Sequence, residues 1–274
     1  MPSQRHTAPL DDALHEVLHK AALEAAREGA SYIRSRTRDL ADIDWQVKAR
    51  ADFVSEVDIG AERRITERLM DRVPDARVLG EELAPTDSGA QGGIVFVVDP
   101  LDGTTNFLHG FPVYAVSIGV VVEGALAAGV VLDVPRDVTY SAIAGRGAKR
   151  DGAPIRVSSI DDPSRALIGT GFPFKHPGQL EPFLPQLARI TAQTSGVRRA
   201  GAAAIDLAHV ACGHLDAFWE LMLAPWDLAA GVLLIREAGG RVTDLEGADA
   251  TVSHTPIVAS NGMLHEWMLA QLRG

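Results

Sequence analysis

Four acidic elements in this chain carry side chains whose types and spacing could do chemistry. The first is Asp99-Pro100-Leu101-Asp102-Gly103-Thr104-Thr105-Asn106, which directly follows the apolar run Ile94–Val98. Two carboxylates three residues apart at a strand's end can converge on one point, and Pro100 stiffens the turn between them. Gly103-Thr104-Thr105 can open a helix. Such a pair beside a helix N-terminus offers hard oxygen ligands to Mg2+ and backbone N–H groups to a phosphate. The same octapeptide reads equally well as an Asx-turn with a helix cap, for which Asp, Gly and Thr are the usual choices. The second element, Gly80-Glu81-Glu82, also ends a strand, and alone it reads as a solvated Glu pair. In the third, Pro225-Trp226-Asp227, Asp227 is placed to cap the helix that follows. The fourth, Asp52–Asp58, reads alone as a strand running into a helix capped by Asp58.

Other chemistries find little support. Cys212 sits beside Val210 and Ala211 in an apolar run, the setting of a small buried hydrophobe rather than a reactive thiol. Gly145-Arg146-Gly147-Ala148-Lys149-Arg150 is glycine-rich and basic, but it lacks the Gly-Lys-Ser/Thr of a P-loop and reads as a solvated hairpin turn. There is no Gly-x-Ser-x-Gly elbow. Arg198-Arg199 reads as a surface pair or, more sharply, as a substrate or interface contact. Trp219 reads as core rather than as a stacking platform.

The elements that must position these residues follow from periodicity. Leu10, Leu14, Val17, Leu18, Ala21, Ala22 and Ala25 recur at helical spacing, which predicts a helix from about Leu10 to Ile33. A second helix follows Asp58, with Ile59, Ile65, Leu69 and Val73 inward and Glu62, Arg63, Glu67 and Arg68 outward; Pro74 ends it. Arg77–Leu79 and Ile94–Val98 read as strands, the latter buried on both faces, with a polar loop at Ala84–Gly93 between them. Ala115–Val134 is a hairpin about Glu123-Gly124, and Val138–Ile143 continues an antiparallel meander. After about Ala148, strands at Ala166–Gly169, Ala217–Glu220 and Ile257–Ala259 alternate with helices at Leu180–Thr191, Ala203–Ala211, Leu228–Ala238 and Met263–Leu272. That pattern predicts an α/β second half packed on an α+β first half.

Composition sets the outer bounds. The chain has 274 residues, long enough for one large domain or two modest ones, with 46% hydrophobic and 23% charged residues. The formal net charge of −10 argues against general nucleic-acid binding, since affinity for phosphate backbones comes mainly from Lys and Arg. A single cysteine excludes an intramolecular disulfide and points to a reducing compartment. The first thirty residues hold no apolar signal-peptide core, and the least polar window, Ala115–Val134, is broken by Glu123 and Asp133. The expectation is a cytoplasmic protein outside the membrane.

In combination the four acidic elements are far more specific than any one of them. With Phe111–Gly119, Gly201–Asp206 and Phe218-Trp219-Glu220, they stand in the order and context of one family. The sequence resembles the inositol monophosphatase family of Mg2+-dependent, lithium-sensitive phosphatases over nearly its whole length. The resemblance implies a layered α/β/α/β/α sandwich with subdomains at residues 8–148 and 149–274 and the metal site between them. It implies two to three Mg2+ per site: Glu81, Asp99 and the Leu101 carbonyl on the first, Asp99, Asp102 and Asp227 on the second, and Glu81 through water on a weaker third. Thr104, with Glu81, would orient the attacking water, and Asp58 would support them from behind. The N–H groups of Gly103 and Thr104 would hold phosphate oxygens. Gly201, Ala203 and Glu220, together with Asp102 and Asp227, match substrate-contacting positions.

Thr104-Thr105-Asn106-Phe107 and Glu220 resemble the branch acting on inositol phosphates; the 3′-phosphonucleotide branch carries a Lys-Glu pair in place of Thr105-Asn106. Ala202 departs from the Ser or Thr often found there, which leaves a broader sugar-phosphate (fructose-1,6-bisphosphate-like) or histidinol-phosphate phosphatase open. The expected activity is hydrolysis of myo-inositol monophosphate, a small phosphomonoester, by a homodimer. The alternative from another class is a non-catalytic, partner-binding protein that keeps the fold.

Overall fold

A computed structural model describes residues 9–38, 40–49, 52–83, 92–250, 252–253 and 255–273. In chain order the first part gives α1 (Pro9–Arg36), β1 (Trp45–Ala49), β2 (Asp52–Ser55), α2 (Glu56–Arg72), β3 (Arg77–Gly80), β4 (Ile94–Asp102) and α3 (Thr104–Leu108). The meander follows as β5 (Ala115–Val122), β6 (Ala125–Asp133), β7 (Val138–Ile143), β8 (Ala148–Arg150) and β9 (Ala153–Pro154). Next come β10 (Leu167–Thr170), α4 (Leu180–Thr191), β11 (Gly196–Arg198), α5 (Ala203–Ala211), β12 (Ala217–Leu223) and α6 (Pro225–Glu237). The chain closes with β13 (Arg241–Thr243), β14 (Thr255–Ser260) and α7 (His265–Arg273).

Two mixed sheets organise these elements. The larger has the order β3-β4-β5-β6-β7-β8-β9 and is antiparallel except for the parallel pair β3–β4. The smaller has the order β11-β10-β12-β14-β13, with β10 parallel to both β11 and β12. Because side chains alternate along a strand, β4 turns Phe96 and Val98 to one face and Val95 and Val97 to the other. Phe96 and Val98 join a core with Leu18, Ala22 and Ile33 of α1 and Ile65 and Leu69 of α2. Val95 and Val97 pack against Ala229 of α6. The other face of α5 and α6 meets Phe218, Ile257 and Ala259 of the small sheet. That sheet's outer face, with Trp219 and Val258, is covered by Phe183 and Ile190 of α4 and Met268 and Leu272 of α7. The result is a layered α/β/α/β/α sandwich, with both sheets buried on both faces.

Several elements differ from the sequence reading. The extended stretch expected over Asp52–Asp58 stops at Ser55, because Ser55 rather than Asp58 caps α2. Ser55 Oγ accepts from the N–H groups of Val57 and Asp58, and Asp58 Oδ2 accepts the Ser55 N–H at 2.8 Å, a reciprocal capping box. The last helix but one begins at Pro225, not Leu228, so Asp227 lies inside its first turn instead of capping it. Proline suits the first helical position because its missing N–H has no partner there anyway. Glu62 was expected outward and is fully buried. The sequence reading also lacks β1, β11 and β13; β11 and β13 have three residues each, whereas Trp45–Ala49 of β1 does alternate apolar and polar side chains. Residues 84–91, most of the expected polar loop, lie outside the described residues.

Candidate active site

The acidic residues meet at the C-terminal end of β4. Residues three apart on a regular strand point to opposite faces, so Asp99 and Asp102 could not converge on an ideal one. Here Asp99 pairs with Ser117 and Asp102 with Ala115, three steps on β4 against two on β5. That irregularity re-aims Asp102 to the side of Asp99. Asp99 continues the Val95–Val97 face toward α6, whose first turn supplies Asp227; Ser117 Oγ donates to the Trp226 carbonyl at 3.3 Å and helps hold that turn. Carboxylate oxygens of Asp99, Asp102 and Asp227 all lie within 4.8 Å of one another. Gly80 pairs with Val98 in the parallel ladder, so Glu81, the next residue, comes level with Asp99. All four carboxylates line one cavity of about 550 Å3, as does Leu101.

Carboxylates dominate the electrostatics of this cavity, although Lys48, Lys175 and Arg199 also line it. Burial, followed by the charges of Glu81, Asp102 and Asp227, raises Asp99 well above the usual carboxylate range. Burial and then Asp227 push Glu81 up to about 8, against partial relief from Lys175 and Lys48. Asp102 is pushed up to about 7 by burial and Asp227, opposed by the N–H groups of Ala204 and Ala203. Carboxylates packed so closely stay ionised only if cations replace protons among them. Every donor is a hard oxygen, the ligand type of Mg2+, Ca2+ and Mn2+. The residues present therefore fit a divalent-cation centre.

The surrounding groups fix the first layer. Asp99 Oδ1 accepts the Leu101 N–H at 3.0 Å, so the Asx-turn reading and the convergent-carboxylate reading hold together. Thr104 Oγ1 lies 2.8 Å from Asp58 Oδ1 and 3.1 Å from the Leu101 carbonyl. Asp58 thus stands behind Thr104, outside the cavity lining. Gly103 takes φ +90° as it leads into α3. A side chain there would be strained in backbone and would meet the Val113 carbonyl at 2.9 Å. Asp102 accepts from Ala204 N at 2.8 Å and Ala203 N at 3.3 Å, which ties the end of β4 to the start of α5. Asp227 Oδ2 accepts the Ala224 N–H at 2.6 Å.

The far wall comes from the second half. Gly201, Ala203 and Glu220 line the cavity, and Glu220 is raised well above its usual range by burial and then by Asp227 and Asp206. Asn106 Nδ2 donates to the carbonyls of Val113 and Ala200, 2.8 and 3.0 Å away, joining this wall to α3. Three lining groups had no decisive sequence signal. Asp206 is buried on α5, where its helical position looks like any polar residue. Arg199, read as either surface or substrate contact, lines the cavity with its guanidinium 5.1 Å from the Phe174 ring. Phe174 and its neighbours lie in a loop between β10 and α4 that shows no periodicity. The basic glycine turn holds an anion after all, but an internal one: Glu237 accepts from Gly145 N and Gly147 N, each at 2.8 Å. Trp219 is core, stacked on Phe183 at 5.7 Å. Cys212 is part-buried, and burial raises its thiol.

A layered α/β/α/β/α fold with converging carboxylates in its central cavity is the architecture of a metal-dependent phosphatase. The sequence profile of the inositol monophosphatase family matches residues 14–274. The chain belongs to that family. It is 42% identical over 255 residues to the Nus factor SuhB of Pseudomonas aeruginosa, covering 92% of this chain and 94% of that one. It is 40% identical over 252 residues to an inositol-1-monophosphatase of Rhizobium meliloti, covering 91% and 92%. The crystal structure of the extragenic suppressor protein suhB from Bartonella henselae superposes with a TM-score of 0.86 at 38% identity, covering 95% and 98%. No helix among the described residues is long and apolar enough to cross a membrane.

Proposed function

We propose that this chain hydrolyses myo-inositol monophosphate to inositol and phosphate with Mg2+ as the resident ion. The carrying observation is the meeting of Asp99, Asp102 and Asp227, from β4 and α6, within 4.8 Å in a cavity that Glu81 also lines. Glu81, Asp99 and the Leu101 carbonyl would hold one ion, Asp99, Asp102 and Asp227 a second, and Glu81 a weaker third through water. Bound Mg2+ would invert the local field so that a phosphate dianion can enter, and would supply Lewis acidity to the entering and departing oxygens. The chain's own groups position the reactants. Asp58 accepts the Thr104 hydroxyl proton, which leaves the lone pairs of Thr104 Oγ1 for a proton of the attacking water. Glu81 faces the same volume and orients that water with Thr104. The N–H groups of Gly103 and Thr104 take phosphate oxygens, while Gly201, Ala203, Glu220, Asp102 and Asp227 contact the polyol. Attack in line with the ester bond forms the new P–O bond as the old one breaks, and the departing oxygen takes up a proton as an inositol hydroxyl.

A broader sugar-phosphate or histidinol-phosphate specificity is supported by Ala202, which presents no hydroxyl at the start of α5. A partner-binding role beside catalysis is supported by the name Nus factor borne by the Pseudomonas aeruginosa relative. Phosphate release from inositol, fructose, histidinol and nucleotide phosphates, with Mg2+ and with EDTA, ranks these readings by kcat/KM. The expected result is Mg2+-dependent release with inositol monophosphate ranked first. No release from any of these substrates in saturating Mg2+ would overturn the enzymatic reading.

A further inference from the structure

We propose that Glu62 is a positioning residue for Glu81, holding its backbone in place to present its carboxylate to the metal centre. This rests on the reading above that Glu81 holds metal. Glu81 lies just beyond the end of β3, in a bend where no sheet ladder fixes its backbone. Its carboxylate lines the same cavity as Asp99 and Asp227. Something outside the sheet must hold the segment so that the carboxylate stays there. The two residues after Glu81 both donate their N–H groups to Glu62: Glu82 N to Oε2 at 2.7 Å and Leu83 N to Oε1 at 2.9 Å.

Glu62 is fully buried on α2, one helical turn beyond Asp58. A buried carboxylate with no such donors would be costly, and two charge-assisted hydrogen bonds at normal length satisfy one oxygen each. Gly80 makes the approach possible, since a Cβ there would come within 2.1 Å of Glu62 Oε1. A second tie acts from the other side, where Lys48 of β1 pairs with the Glu82 carboxylate. α2 therefore serves the site twice: Asp58 fixes Thr104 in its first turn, and Glu62 fixes Glu81 in its second.

The test uses Mn2+ as the probe, its binding followed by electron paramagnetic resonance, with circular dichroism and metal-free melting measured alongside. Glu62→Gln keeps the shape but turns an amide NH2 toward one backbone N–H. Gly80→Ala keeps the charge but displaces it. Wild type should bind Mn2+, and Asp99→Asn should abolish that binding; if either fails, the assignment of the metal site falls, independently of Glu62. With those controls in place, both variants should fold and bind Mn2+ about tenfold to a hundredfold more weakly, the range for groups that orient metal ligands. A purely structural role would lower the metal-free melting temperature and leave the affinity of the folded protein within twofold of wild type. That outcome overturns the proposal, and so does loss of the fold in both variants.

Discussion

Asp99 stands under heavier electrostatic strain than an ordinary buried acid, because three other carboxylates face it in the same cavity. Asp99→Asn is expected to reduce Mg2+-dependent phosphate release to background. It should also raise the metal-free melting temperature, since the folded state no longer has to hold a proton on a buried carboxyl that is ionised when unfolded; each kcal/mol corresponds to about 2–4 °C in a protein of this size. Normal turnover by that variant would remove Asp99 from the site. The cluster also sets a pH dependence whose sign follows from linkage. Glu81, at about 8, and Asp102, at about 7, hold protons more tightly folded than unfolded. Their contribution to stability is complete below the usual carboxylate range and is lost as pH rises through 7 and 8. His209 and His265, both lowered to about 4 mainly by burial, act oppositely but only between about 4 and 6.5. In EDTA the melting temperature should therefore fall from pH 7 to 8.5, and added Mg2+ should raise it more at pH 8.5 than at pH 6.

At the scale of elements, the helix termini do most of the positioning. The start of α5 has Ala202 in cap position with no side-chain hydrogen bond, and Asp102 supplies acceptors from another element instead. Ala202→Ser would give α5 a local cap and is expected to stabilise the protein by about 0.5–1 kcal/mol, read from denaturant melts in EDTA. A loss of stability would show that the buried hydroxyl finds no N–H group. Helical periods made α1, α4, α5 and α6 legible, because each presents an apolar stripe or an all-apolar run to a sheet. Periodicity misplaced Glu62, since hydropathy counts a carboxylate as outward whatever N–H groups wait for it inside. It also misplaced the start of α6, because Pro225 and Trp226 do not look helical until the N-terminal preference of proline is weighed.

On the whole-molecule scale, the site depends on how closely α6 lies on the large sheet. Gly119 of β5 leaves that room: a Cβ there would fall 2.3 Å from Ala229 Cβ. Gly119→Ala is expected to cost about 1–3 kcal/mol through overpacking and to shift Asp227 away from Asp99. The measurable signature is a lower melting temperature together with a higher Mg2+ requirement for phosphate release. An unchanged Mg2+ requirement would show that α6 relaxes without carrying Asp227 along. The acidic net charge takes on a different meaning at this scale. Four of the 36 acidic residues, Glu81, Asp99, Asp102 and Asp227, are gathered on one cavity, where a divalent cation can reverse their local effect.

The sequence alone determined the identities and order of the acidic elements, the apolar runs that become the two sheets, and the helices that cover them. These are local properties, set by side-chain type and by periods of two and 3.6 residues. Tertiary structure decided which carboxylates meet. Asp99 and Asp102 converge through a strand irregularity, Asp227 arrives from 125 residues further along on a helix docked over a glycine, and the two residues after Glu81 are tied to a buried Glu62. Each of those distances depends on packing between elements far apart in the chain, and local residue patterns encode none of them.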